Sequence, residues 1–179
     1  MASVINSDPR IESIQGIYEL GYLMEEVRVS YKKDVKISVG TIAIEAKEGD
    51  ISSVQRWVAE ILVEQGTAEI QSNEITAYIS RTMNRERIAK SHDLSGIDVD
   101  FYVRVNDHLE RINERERENL IISLNTFVAS RLEKIVKLAA ASPLSAELES
   151  KLAAEERELY ILINDISTKF KKGVVKKFG

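Results

Sequence analysis

Cysteine is absent from this 179-residue chain, which excludes disulfides, cysteine-based zinc sites and thiol catalysis, and fits a reducing, intracellular compartment. Histidine is scarce: His92 and His108 stand 16 residues apart without an H-x-x-x-H spacing, so they read as a loop residue and a helix-face residue rather than as metal ligands. The eight glycines are scattered singly, and neither a G-x-G-x-x-G nor a Walker-type phosphate cradle is present. No stretch approaches the roughly 20 apolar residues of a membrane span, and the N-terminus lacks the basic-then-apolar order of a signal peptide. The expectation is a soluble cytoplasmic protein. Paired carboxylates are plentiful but lie on charged helical stretches, so no catalytic group, metal or cofactor is expected.

A strong excess of one charge is missing too. Residues 1–71 carry 7 Lys or Arg against 12 Asp or Glu, while residues 72–179 carry 18 against 17, so neither part has the basic excess of a dedicated DNA-binding domain. Two local clusters stand out. One is Arg81, Arg85, Arg87 and Lys90; the other is a tail in which Lys169, Lys171, Lys172, Lys176 and Lys177 stand against Asp165 alone. The five lysines are candidates for phosphate contact, the alternative being a solvated helix end that complements the helix dipole.

What is present is a folded protein's composition, 44% hydrophobic and 30% charged, with enough chain for one good core or two thin ones. A short helix or arm between Pro9 and Met24 is interrupted by Gly16 and Gly21. Alternation of apolar residues then marks three strands, through Val27, Val29 and Tyr31, through Val35, Ile37 and Val39, and through Ile42, Ile44 and Ala46, with turns at Lys32–Asp34 and Gly40-Thr41. After Gly49-Asp50, Ser52 and Gln55 have capping-box spacing, and Val54, Trp57, Val58, Ile61 and Leu62 share a helical face that stops at Gly66. Thr67–Gln71 reads as a returning strand. Trp57 is expected either to cover the small sheet or to meet a partner.

The rest reads as helix. Ser72 or Asn73 caps a helix to about Lys90 with the stripe Ile75, Ile79, Met83 and Ile88, and Asp98 caps one with Phe101, Val105, Leu109 and Ile112. The charged run Arg111–Glu118 either continues that helix or breaks it near Asn113. Beyond it Leu120, Leu124, Phe127, Val128, Leu132, Ile135 and Ala139 form a stripe ending before Pro143, which with Ser142 as cap opens a last helix bearing Leu144, Leu148, Leu152, Leu159, Ile163, Ile166, Phe170 and Val174. Glu155 and Glu156 interrupt this seam, and a carboxylate there needs a partner. If the two helices pack antiparallel around Pro143, Arg131 stands level with Glu155, and a structural ion pair of Arg131 with Glu155 and Glu156 is expected. The fold class is α+β, a small β-rich domain over residues 1–72 followed by an all-α helical bundle over 73–179.

Three blocks carry a resemblance to a known family. EGDISSVQRWVAEILVEQGTAEI (Glu48–Ile70), SRLEKIVKLAA (Ser130–Ala140) and AAEERELYILINDISTKFKKGV (Ala153–Val174) resemble the β-domain helix and core helices of subunits of the GINS complex of DNA replication, and the order of the two parts resembles the archaeal type in which the β domain comes first. The resemblance implies a non-enzymatic scaffold at replication forks, tetrameric with other GINS subunits, linking the MCM helicase to a RecJ-like partner and to primase or polymerase. It places the subunit interface on the long helices, where Leu120, Leu124, Phe127, Leu148, Leu152, Leu159 and Ile163 are the candidates. The competing expectation is a small DNA-binding regulator that uses Arg81–Lys90 and the lysine tail.

Overall fold

A computed structural model of the chain describes residues 9–39, 42–71, 73–90 and 92–175. It is an α+β protein, with a small sheet region ahead of a long helical region. Two compact units are present: one is Ile17–Glu74, and the other runs from Ile75 onward and takes in the chain up to Gly16. Helix α1, Pro9–Leu23, is one continuous helix that Gly16 and Gly21 do not interrupt. Among the described residues no helix is long and apolar enough to cross a membrane.

The smaller unit is built on one long, bent hairpin. Strand β1 (Glu26–Tyr31) pairs antiparallel with β4 (Ile51–Gln55), and β2 (Val35–Val39) pairs antiparallel with β3 (Ile42–Ala46). Between the Ser30–Ile51 and Val35–Ala46 pairs lie equal lengths of chain, Tyr31–Asp34 and Lys47–Asp50, so the register passes through the bend without a slip. The corner is tied by two backbone bonds and one side chain: Tyr31 N–H donates to Asp50 O, Gly49 N–H to Tyr31 O and Glu48 N–H to the Asp34 carboxylate. Gly49 takes φ +89°, a conformation that other residues adopt at a cost. Strand β5 (Ala68–Ile70) adds to the other edge of β1, giving the sheet order β4-β1-β5.

Helix α2 (Arg56–Glu64) covers this sheet with Ala59 and Leu62, which are buried together with Val29, Tyr31, Val35 and Ala68. It begins three residues later than the capping-box spacing of Ser52 and Gln55 suggests. The β1 ladder claims Ile51–Gln55 as a strand instead, and Gln55 caps α2 without a side-chain bond. Gly66, at φ +64°, ends the helix as expected from its position. The Gly40-Thr41 turn and Ser72 lie outside the described residues.

The helical unit contains α3 (Asn73–Ile88), α4 (Phe101–Arg111), α5 (Glu114–Ala141), the single turn α6 (Ala146–Glu149) and α7 (Ala154–Val175). The charged run breaks at Asn113, whose side chain accepts from Glu116 N–H and starts α5. Helix α4 begins at Phe101, with Asp100 rather than Asp98 as its cap residue. Pro143 does not open a continuous last helix. Ser142 ends α5, Ser145 caps α6, and α7 starts only at Ala154.

This break reverses the expected helix direction. Arg131 meets Glu156, and eight residues further along both helices Ala139 O meets Asn164 Nδ2, so α5 and α7 advance together and run parallel. Residues 143–153 carry the chain back to the level of Arg131, where Lys151 O accepts from its guanidinium. Two apolar clusters fill the unit, one around Ile79, Phe101, Leu124 and Phe127, the other around Leu94, Ile135, Leu152 and Tyr160.

Candidate functional site

Between those clusters, on one stripe of α5, the sequence places Arg131 a turn beyond Phe127 and a turn before Ile135, and the structure buries it to 1% exposure. All five guanidinium N–H groups find acceptors. Nε donates to Glu156 Oε1 at 2.6 Å and Nη2 to Glu156 Oε2 at 2.7 Å, a two-pronged carboxylate grip. Nη1 donates to Glu86 Oε2 at 2.7 Å and to Ser95 O at 2.9 Å, and Nη2 also reaches Lys151 O at 3.0 Å. Lys134, one helical turn along, donates from Nζ to Glu86 Oε1 at 2.6 Å. Two buried cations therefore face two buried carboxylates, and the site is neutral.

The remaining lone pairs are also used. Ser95 donates to Glu86 Oε2 from both its N–H and its hydroxyl, while Tyr102 OH and Ala153 N–H donate to Glu156. Burial by itself would raise the Glu86 carboxyl, but the Lys134 ammonium, Ser95 and Arg131 outweigh it and hold the group below the usual carboxylate range. Burial likewise opposes the Arg131 charge, and the bonds to Glu156 outweigh it, so the guanidinium is held protonated even more firmly than usual. Six segments meet at this hub: α3 through Glu86, the stretch before α4 through Ser95, α4 through Tyr102, α5, the stretch before α7 through Lys151 and Ala153, and the start of α7. It fixes which faces of α5 and α7 are turned inward.

Glu155 is not part of the pair. It accepts from Gln15 Nε2 at 3.2 Å and leaves Oε2 buried without a partner. Burial first, then the nearby charges of Glu156 and Asp100, push its carboxyl up. The expectation that Arg131 pairs with Glu155 followed from antiparallel helices; in the parallel arrangement it is Glu156 that points at the hub.

The residues expected at a subunit interface are spent within the chain. Leu124, Phe127 and Leu152 are buried in its own clusters, and Leu120, Leu148, Leu159 and Ile163 are half-buried against them. Outward-facing apolar residues are others. On α5 they are Ile121, Ile122, Val128, Leu132 and Val136, 40–65% exposed; on α7 they are Ile166 and Phe170, at 65% and 70%, with Val174 at 42%, and Ile161, at 50%, on the opposite side of the helix. At about 100° per residue the α5 row is rotated about 60° clockwise from the line to α7, viewed along the shared direction, and the α7 row about 80° counterclockwise from the line to α5. Both rows thus lie toward one side of the α5–α7 pair, the α5 row along Ile121–Val136 and the α7 row level with and beyond the end of α5.

Trp57 is half-buried on α2 with its indole N–H donating to Gln55 Oε1 at 2.8 Å, and the sheet is covered by Val58, Ala59 and Leu62 rather than by its ring. Of the lysine tail, Lys169 is paired with Asp165, Lys171 donates to Ala140 O at the end of α5, and Lys172 is exposed, while Lys176 and Lys177 lie outside the described residues. Arg81 and Arg85 bond within α3, to Ala77 O and Thr82 Oγ1. Ile88, expected on the α3 stripe, is 80% exposed, and the inward positions are Ile79, Thr82 and Glu86. His108 is buried on α4 against Thr76 Oγ1 rather than lying on an open helix face. Burial holds its imidazole below the usual range. Among the described residues there is no group of three or more His, Asp or Glu that could hold a metal ion.

Neither the protein-family models nor the curated proteins compared with this chain give a match.

Proposed function

We propose that this chain is a non-enzymatic assembly subunit of the GINS type, a scaffold that joins other GINS subunits and links the MCM helicase to a RecJ-like partner and to primase or polymerase at replication forks. The observation that carries the reading is the set of exposed apolar side chains on α5 and α7. Eight large side chains that are 40–70% exposed, carried toward one side by two parallel helices that a saturated ionic hub holds in fixed orientation, suit a surface covered by another subunit. A small β unit ahead of the helical unit, and the resemblance of Glu48–Ile70, Ser130–Ala140 and Ala153–Val174 to GINS subunits, support the particular family. The hub has the character of a structural device. Every donor of Arg131 is bonded to protein, which leaves it no valence for a substrate.

The test is light scattering on size-exclusion peaks of the chain alone and co-expressed with a helix-first GINS-type subunit. A multi-chain particle containing both supports the reading. A chain that ignores that subunit, and shows salt-sensitive affinity for DNA at about 50 mM salt, would favour the DNA-binding regulator instead.

A further inference from the structure

We propose that the exposed face of α3 is a duplex-DNA contact, laid in the major groove with Arg81 and Arg85 toward the phosphates of one strand and Arg87 toward those of the other. The contact is additional to the assembly reading and does not rest on it.

Helix α3 turns Ile79, Thr82 and Glu86 inward. At about 100° per residue, Ala77, Asn84 and Ile88 then fall within about 30° of the outward line, Arg81 and Arg85 lie about 45° and 85° to one side of it, and Arg87 about 75° to the other. All six are exposed, Ile88 to 80%, and Lys90 stands exposed just past the helix end. From Ala77 to Lys90 the one carboxylate is Glu86, which is buried and already bonded to Arg131 and Lys134. Elsewhere Arg111 is matched one turn away by Asp107, Lys137 by Glu133 and Lys169 by Asp165. Among the described residues no carboxylate lies within ion-pair distance of Arg81, Arg85, Arg87 or Lys90. Arg81 spends one N–H on Ala77 O and Arg85 one on Thr82 Oγ1, which leaves each four of its five donors. The negative end of the helix dipole, about half a charge, balances little of a patch of four cations.

A polyanion fits this face better than a protein does. A protein partner needs an apolar centre, and Ile88 is the one large apolar side chain among the six. Ala77 to Ile88 spans about 17 Å, about five base pairs, and a helix fits the major groove of B-DNA, about 12 Å wide. On the outward line Ala77 lets the backbone approach closely, Asn84 carries the amide that pairs with an adenine edge, and Ile88 suits a thymine methyl. The arginines on either flank then meet the two phosphate walls. The deep, narrow major groove of an RNA duplex does not offer this fit.

The test is fluorescence anisotropy of the full chain with a labelled DNA duplex, the same sequence as a single strand, and an RNA duplex. Binding to duplex DNA is expected with a Kd on the order of 10 μM at about 50 mM salt. With four phosphates neutralised, the slope of log K against log[salt] is about −3.6, so binding weakens about 150-fold by about 200 mM. R81Q/R85Q/R87Q, which keeps good helix formers at exposed positions, should bring the slope to about −0.9 and weaken binding at least about tenfold at about 50 mM salt. K169Q/K171Q/K172Q removes the same charge from α7 and should stay within about threefold of the parent. Ala77→Glu sets a carboxylate one turn before Arg81 and should cost about tenfold without removing any cation. Circular dichroism checks that each variant is folded. A chain that binds no duplex at about 50 mM salt overturns the inference. So does an equal loss in the two triple variants, or equal affinity for all three nucleic acids, because the binding is then general charge. A chain that ignores all three but loses its GINS-type subunit in R81Q/R85Q/R87Q carries an acidic protein on this face, which overturns the inference and leaves the assembly reading standing.

Discussion

Replacing Arg131 by Met keeps most of the side chain's volume and removes its charge, and it should be the most damaging conservative change in the helical unit. Glu156 loses both of its charged bonds and retains only Tyr102 OH and Ala153 N–H, while Ser95 O and Lys151 O lose their donor. Glu86 keeps Lys134 and Ser95. One carboxylate is thus left buried without a counter-charge, which costs about 3–5 kcal/mol. Against a total stability of about 5–15 kcal/mol this is a large share, and it corresponds to a drop of about 6–20 °C in Tm. Urea titration followed by far-UV circular dichroism reads the loss. The diagnostic is R131M/E156Q, in which the two remaining charges, Glu86 and Lys134, balance again. It should be more stable than R131M despite carrying one more substitution. A cost for R131M below about 1 kcal/mol, or a double variant worse than the single, would refute the charge-balance reasoning.

Glu155→Gln should stabilise the protein at pH 7 by about 1 kcal/mol, because it removes the charge from a carboxylate with one buried oxygen unpaired. The folded-state pKa of Glu155 is raised, so its contribution is favourable below the unfolded value of about 4.3 and is lost as pH rises through the folded pKa. Thermal melts at pH 5 and pH 8 should therefore show the advantage of the variant shrinking on acidification. Glu86 has the opposite sign. Its depressed pKa means that its stabilisation is present above about pH 4.3 and is lost as pH falls through the folded value, so Glu86→Gln should flatten the acid limb of the stability curve. Asn113→Ala removes the cap on α5 and should cost about 1 kcal/mol by urea titration. At Gly66 a Cβ meets nothing within 4 Å, so Gly66→Ala tests the φ +64° backbone alone, at about 1–2 kcal/mol.

Strands β1 to β3 were legible because their apolar residues alternate strictly. Ile51–Gln55 was not. Its Ser52 and Ser53 blur the alternation, and Ser52 with Gln55 imitates a capping box, so a local helix signal hid a strand that only pairing with Val27–Ser30 reveals. The last helix failed for the opposite reason: Leu144, Leu148 and Leu152 keep helical spacing across a real break, because a turn and the loops around it can place apolar residues inward as well as a helix can. Arg131 and Glu156 could be read from charges lying on apolar stripes. Glu86 could not, since α3 is polar and charged along most of its length. Yet Lys134 also falls at a core position of α5, and two buried cations facing one carboxylate would have required a second carboxylate from another element. Leu120, Leu124 and Phe127 could not be told from the exposed Ile121, Val128 and Leu132 by periodicity, because a stripe facing its own core and an exposed one look alike in sequence, and α5 has both, side by side.

The unbroken register through the bend of the long hairpin constrains how its length can vary. Removing one residue from Tyr31–Asp34 alone would shift β2 against β3 by one position and turn Val35 and Ile37 away from the core they now fill. Removing one residue from each of Tyr31–Asp34 and Lys47–Asp50 would preserve every downstream pairing. Insertions and deletions at this corner are therefore tolerable only as matched pairs, so the two turns behave as a single unit of inheritance, separated by the whole distal hairpin.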